Sequence, residues 1–271
     1  MIITVKMIKQ LRNLTGAGVM ECKKALVISR GNLEIASQII NEKNKEKSTR
    51  KFKNSTKYGI VDAELSPDKT FGVLVEIQSE TDFVSKNYLV LKFLKKLLKT
   101  VISKRSSTSK EVTKFIEDER MKTISKVNEN ILVNRISVIS GEMITKYVHG
   151  NRIGVLVSTN HINNKLTRFI AMHIAASKPK YISKKDVQNH VLKEKMEYYS
   201  LISKNNSESK ENINKIFSKK IEKFFERTCL LEQKFIIKLN KKVKEVLLEN
   251  KIKVIDFIRF ESCENTECKK F

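Results

Sequence analysis

Tryptophan is absent from this 271-residue sequence, proline occurs twice and glycine eight times, whereas lysine, isoleucine and asparagine are over-used. No apolar run approaches the roughly 18 residues of a membrane span, so no membrane association is expected. Met1 to Arg12 alternates lysine with apolar residues and lacks the apolar block of a signal peptide, which argues against secretion. The four cysteines (Cys22, Cys229, Cys263, Cys268) are too few and too scattered for a disulfide framework, which fits a reducing, cytoplasmic compartment. Hydrophobic residues make up 40%, enough to fold, and the length predicts two or three modules with at least one sizeable core.

Arginine is also scarce. The formal charge of +24 rests on 44 lysines and only 10 arginines. Taken alone the charge suggests RNA, because lysines gain affinity by releasing counterions from phosphates. Arginine, however, is the residue that forks onto phosphates and reads bases. The favoured residues share A/T-rich codons, so genome composition accounts for much of the charge. Weak, nonspecific nucleic-acid binding is expected. A basic ribosome- or RNA-binding protein remains the alternative function, although aromatic-basic stacking motifs are missing.

Residues 4–46 read as three short helices: Thr4 caps the first, Thr15-Gly16-Ala17-Gly18 breaks it, the second stops at Gly31, and Asn32 caps the third. Residues 47–57 read as a basic linker. Beyond it, Phe71-Gly72-Val73-Leu74-Val75 and Ile153-Gly154-Val155-Leu156-Val157 repeat the string Gly-Val-Leu-Val. Each follows a β-like run and a turn, and each precedes an amphipathic helix, Leu89 to Ile102 and Leu166 to Ala176. Strand, turn, strand, helix, used twice, predicts two related α+β subdomains with antiparallel hairpins. Residues 58–140 form the first, and residues 141–182 with 228–262 the second. Strands are also expected at Val133–Ile139 and Val254–Glu261, and a helix near Lys242–Leu248. Ser183 with Asp186 resembles a capping box that opens a long helix carrying Val187, Val191, Met196, Tyr199 and Ile202. Asn205-Asn206-Ser207 then breaks the run before Ile213, Phe217, Ile221, Phe224 and Phe225. Residues 183–227 are therefore expected to form a projecting helical hairpin. Residues 263–271 are left as a tail.

No catalytic constellation stands out. Gly16 to Lys24 lacks the Gly-Lys-Ser/Thr ending of a phosphate loop. His173, inside Ile170-Ala171-Met172-His173-Ile174, reads as structural. Cys263 and Cys268 lack the second pair a strong metal pattern needs, and Cys22 reads as a half-buried helix residue. Neither a metal nor a cofactor is expected, and covalent catalysis is not.

Thr15-Gly16-Ala17-Gly18-Val19-Met20-Glu21-Cys22-Lys23-Lys24-Ala25-Leu26 resembles the N-terminal signature of the elongation factor Ts family. Thr81-Asp82-Phe83-Val84-Ser85-Lys86-Asn87 is similar to that family's exchange loop. His149 to Val157, Ala171 to Pro179 and Phe257-Ile258-Arg259-Phe260-Glu261 resemble its later signatures, in the family's order. The resemblance implies a ubiquitin-associated-like N-terminal domain (1–46), a core of two related subdomains, and a coiled-coil arm. It implies a guanine nucleotide exchange factor for elongation factor Tu, bound in GDP-loaded and nucleotide-free forms. A homodimer or a 2:2 complex through the arm stays open. Val19 and Met20 fall where the family touches the GTPase's nucleotide domain, and His149, Gly150 and Arg152 where it approaches the third domain. Thr81, Asp82, Phe83 and Val84 fall on the loop that disturbs the Mg²⁺ site, Phe83 as a wedge and Asp82 as a carboxylate near the ion. A plainer reading has Asp82 capping a helix with Phe83 packed beneath it; the surrounding motifs favour the wedge.

Overall fold

The first three helices start and stop where local chemistry demands. The structure, a computed structural model, describes residues 3–51, 55–161, 163–194 and 210–264. Helix α1 (Val5–Thr15) is capped by Thr4, whose hydroxyl accepts the Met7 N–H at 3.3 Å, and it ends at left-handed Gly16. Helix α2 (Val19–Ile28) closes through Gly31, whose φ of 82° suits a residue without Cβ. Asn32 then accepts the N–H groups of Glu34 and Ile35 to open α3 (Leu33–Lys51). Leu11, Ala17, Cys22, Ala25, Leu26, Ala36 and Ile40 form the small core of these helices. Cys22 is fully buried rather than half-buried, its thiol facing the Ala17 carbonyl. Helix α3 continues into the stretch read as linker. Lys and Glu are good helix formers even where no apolar face guides them. The rest of that stretch includes residues 52–54, outside the described residues.

The architecture is α+β, with antiparallel sheets following the helical N-terminus. Two compact units are distinguished. One comprises residues 1–62, 75–136 and 262–271, and the other residues 63–74 and 137–261. Strands β1 (Tyr58–Leu65), β2 (Phe71–Ser79) and β3 (Ile131–Ser140) form a sheet in the order β1-β2-β3. Every residue of β2 is buried, which explains the unbroken apolar run from Phe71 to Val75 in its first half. A short helix α4 (Asp82–Ser85) follows, then α5 (Tyr88–Lys104) and α6 (Lys110–Val127), which pack on each other; α3 also packs on α6. Phe93, Leu94, Leu97, Leu98 and Val101 are the buried stripe of α5.

In the first unit, Glu76 is wholly buried on β2 and takes four donors. Arg135 Nε lies 2.6 Å away, Asn134 Nδ2 2.9 Å, Gln78 Nε2 3.3 Å and the Cys263 backbone N–H 2.7 Å. A buried carboxylate is tolerable only with such a shell.

In the second unit, β4 (Met143–His149), β5 (Ile153–Thr159) and β8 (Val254–Glu261) pair antiparallel in that order, with Val155 opposite both Tyr147 and Arg259. Helix α7 (Asn164–Ser177), capped by Asn163, lies on β4 and β5. Its core joins Val155, Val157, Ile170, Ile174, Leu230, Phe235 and Val246. The two echoed strings thus occupy the central strand of each three-stranded sheet, β2 and β5. Gly72 is required there: a Cβ would stand 3.1 Å from Leu65 Cδ2 and 3.2 Å from Ile144 Cγ2.

The Ser183–Asp186 capping box is present, but it closes a single 3-10 turn (Lys184–Asp186) rather than opening a long helix. Val187 is extended and 4% exposed, so it belongs to the core. Residues 189–194 are helical, and α8 (Lys210–Thr228) returns. Met196, Tyr199, Ile202 and the Asn205-Asn206-Ser207 break lie outside the described residues, as do the side chains of Ile213 and Phe217. A two-stranded hairpin, β6 (Lys234–Phe235) with β7 (Lys238–Lys242), was not expected; α9 (Val243–Glu249) follows it. Among the described residues no helix is long and apolar enough to cross a membrane.

Candidate functional site

Strand β2 delivers the chain to its C-terminal end, where Ser79 Oγ donates to the Thr81 carbonyl at 2.8 Å. Thr81 has extended backbone angles and caps α4, its hydroxyl accepting the Val84 N–H at 3.4 Å. The cap is therefore Thr81, not Asp82. Asp82 instead pairs with Lys86 at 3.0 Å, with both side chains substantially exposed, and its carbonyl accepts the Ser85 hydroxyl. Val84 points inward at 9% exposure, whereas Phe83 is 82% exposed. This overturns the plainer reading, in which Phe83 packs beneath the helix. Asn87 accepts the Leu89 N–H at 2.9 Å and starts α5 directly afterwards, with Tyr88 also exposed.

The loop is fastened from a distant part of the chain. Both Thr81 donors reach Glu129, the backbone N–H at 3.1 Å and the hydroxyl at 3.0 Å from each carboxylate oxygen. In return Glu80 accepts the Asn130 N–H at 2.6 Å. Neither glutamate is singled out by the sequence.

Val19 and Met20 stand at the start of α2, 48% and 63% exposed, while Cys22, Ala25 and Leu26 of the same helix form its buried face. Met20, Val27 and Ile28 are the apolar wall of an open groove whose other lining residues are Lys23, Lys24 and Lys43. In the other unit, His149, Gly150 and Arg152 form the β4–β5 turn. Gly150 and Asn151 both have φ of 54°, and the Arg152 N–H reaches the His149 carbonyl at 3.0 Å. Nothing lies within 4 Å of a Cβ placed on Gly150, so its need is conformational. The His149 ring is stacked on Tyr147, whose hydroxyl is 3.1 Å from Nδ1.

His173 is buried and structural. Its Nε2 lies 2.9 Å from Gln233 Oε1, and its Nδ1 accepts the Ile236 N–H at 3.4 Å. Gln233 Nε2 donates to the carbonyls of Arg227 and Ser177. Burial pushes the imidazole below its ordinary pKa, against the pull of the Gln233 bond. Cys263 Sγ donates to the Lys57 carbonyl at 3.1 Å, and Cys268 lies outside the described residues. Among the described residues no group of histidine, cysteine and carboxylate is placed to hold a metal ion.

The candidate residues of this α+β protein thus lie at two helix N-termini in one unit and on a hairpin turn in the other. A family model described as "Elongation factor TS" matches residues 80–264. Elongation factor Ts of Photorhabdus laumondii is 37% identical over 265 residues, covering 98% of this chain and 94% of that protein. The Buchnera aphidicola protein of the same name is 38% identical, covering 96% and 97%, and that of Yersinia pestis 34%, covering 98% and 93%. The chain belongs to the elongation factor Ts family.

Proposed function

We propose that this chain is a translation elongation factor that binds elongation factor Tu in its GDP form and speeds release of the nucleotide. A nucleotide-free complex results, and GTP resolves it. The observation that carries this reading is Phe83, a large apolar side chain held 82% exposed one residue from a buried anchor. Solvating a phenyl ring is unfavourable, so its exposure is best accounted for by a partner that buries it.

A GTPase holds GDP through backbone amides and Mg²⁺, and an exchange factor uses its own binding energy to distort that site. Phe83 wedges between elements of the partner beside the ion, and Asp82 places a carboxylate in the ion's surroundings. Val84 stays in the core and Thr81 fixes the direction of the turn. Val19 and Met20 grip the nucleotide domain, and His149, Gly150 and Arg152 approach the third domain. The units described as modules in the sequence divide this labour: the helical domain and exchange loop act on one domain, the β4–β5 turn on another. Reciprocity follows from linkage: if the factor weakens GDP binding, GDP weakens factor binding by the same ratio.

The test is release of a fluorescent GDP from purified elongation factor Tu in the presence of sub-stoichiometric amounts of this protein. Accelerated release at catalytic concentrations is the expected result. Release no faster than the spontaneous rate would overturn the reading.

A further inference from the structure

Helix α4 has four residues, too few to be stable on its own, because nucleating one turn fixes several dihedrals for a single hydrogen bond. Something outside the turn must hold its cap. Thr81 donates to the side chain of Glu129, 48 residues away in sequence, at the turn that leads into β3. One carboxylate takes both the backbone N–H and the hydroxyl, and the same hydroxyl accepts the Val84 N–H. Glu80 reciprocates by taking the Asn130 N–H, so residues 80–81 and 129–130 are joined at two points. Asn130 is 6% exposed, which gives the joint a buried footing.

We infer that Glu129 is the positioning residue of the exchange loop: its carboxylate orients Thr81 and, through that cap, the direction in which Phe83 projects. The inference rests on the exchange reading of the loop. Glu129 itself need touch neither nucleotide nor ion. A glutamine at 129 can keep the pattern, its carbonyl oxygen accepting the Thr81 N–H and its amide donating to the hydroxyl. Geometry, rather than charge, is what the position supplies.

The experiment compares GDP release with Glu129→Ala, Glu129→Gln, Phe83→Ala and the Glu129→Ala/Phe83→Ala double variant, alongside amide hydrogen exchange on each protein alone. Glu129→Ala is expected to slow release about tenfold, since a loosened turn presents its side chain in the wrong place most of the time. Glu129→Gln should stay within about twofold of the parent. In the Phe83→Ala background, Glu129→Ala should add less than about twofold, because two residues acting through one contact are not additive. The amides of residues 81–86 should lose protection in Glu129→Ala while those of β2 and α5 keep theirs. Should Glu129→Ala fail to fold, Thr81→Val removes the hydroxyl's bond to Glu129 together with the cap on Val84, keeps the backbone N–H bond to Glu129, and is expected to slow release by about threefold. Full additivity in the double variant, or unchanged loop protection and unchanged release in Glu129→Ala, would overturn the inference. If the parent protein itself does not speed release, the exchange reading fails, and the hydrogen-exchange comparison still decides whether Glu129 holds the loop.

Discussion

Phe83 and Val84 are adjacent in the chain and opposite in environment, the first 82% exposed and the second 9%. One turn of helix, capped by Thr81, is enough to send one side chain into solvent and the next into the core. Val84→Ala is therefore expected to lower stability by about 1–2 kcal/mol through lost burial and an unfilled space. Urea unfolding would measure it, and an unchanged midpoint would mean that Val84 is not an anchor.

The N-terminal helices allow the same separation. Leu26 is fully buried and Met20 is 63% exposed on one helix. Leu26→Ala should cost roughly 3 kcal/mol of that small core's stability. Val19→Ala with Met20→Ala should leave the melting curve in place and weaken the complex with elongation factor Tu about tenfold or more. A double variant that melts early but binds at full strength would make these residues core after all.

Acid should unfold the second unit in two stages with one sign. His173 is held neutral by burial, so its folded pKa is depressed below 6.5. The unfolded chain then binds the extra proton, and stability falls as pH drops through the unfolded value. Glu261 follows at lower pH. Burial raises its pKa, but hydrogen bonds and charges from Arg259 and Lys178 prevail and bring it from 4.5 to about 2. Its contribution is full above pH 4.5 and is lost as pH falls toward 2. Melting temperature against pH tests this. His173→Gln should flatten the slope between about pH 7 and 5, whatever its effect at neutral pH. A slope that survives the substitution would contradict the assignment.

Glu76 joins β2 to Arg135, Asn134 and the Cys263 backbone. Glu76→Ala removes the buried acceptor shared by Arg135, Asn134, Gln78 and the Cys263 N–H and should destabilise by about 3–5 kcal/mol. Exchange per folded molecule should hardly change. A loss of exchange without loss of stability, measured by GDP release and chemical unfolding together, would give Glu76 a role that its geometry does not suggest.

Much of the fold is legible in the residues, for identifiable reasons. Gly-Val-Leu-Val marks two central strands because strands buried on both faces show no polar alternation. Thr4, Gly16, Gly31 and Asn32 declare helix ends because capping is local chemistry. The β6–β7 hairpin is not legible, since Lys-Phe and Lys-Leu-Asn-Lys-Lys carry no strand pattern and pair only in context. Ser183 and Asp186 are readable as a box, but not the 3-10 turn it closes. In the turn after β2, Thr-Asp-Phe-Val tells which residues are present, not which apolar one faces outward. The Glu129 contact spans 48 residues and leaves no trace in any local window.

The most direct test of the account is Phe83→Ala, measured for both thermal unfolding and GDP release from elongation factor Tu. An exposed wedge supports no internal packing, so the melting temperature should hold within experimental error. Exchange should slow by roughly thirtyfold, the effect of removing a hot-spot aromatic worth about 2 kcal/mol. Asp82→Ala should slow it less, because an exposed carboxylate acts through a screened interaction. A Phe83→Ala protein that is destabilised, or that exchanges nucleotide at the parent rate, would contradict the wedge.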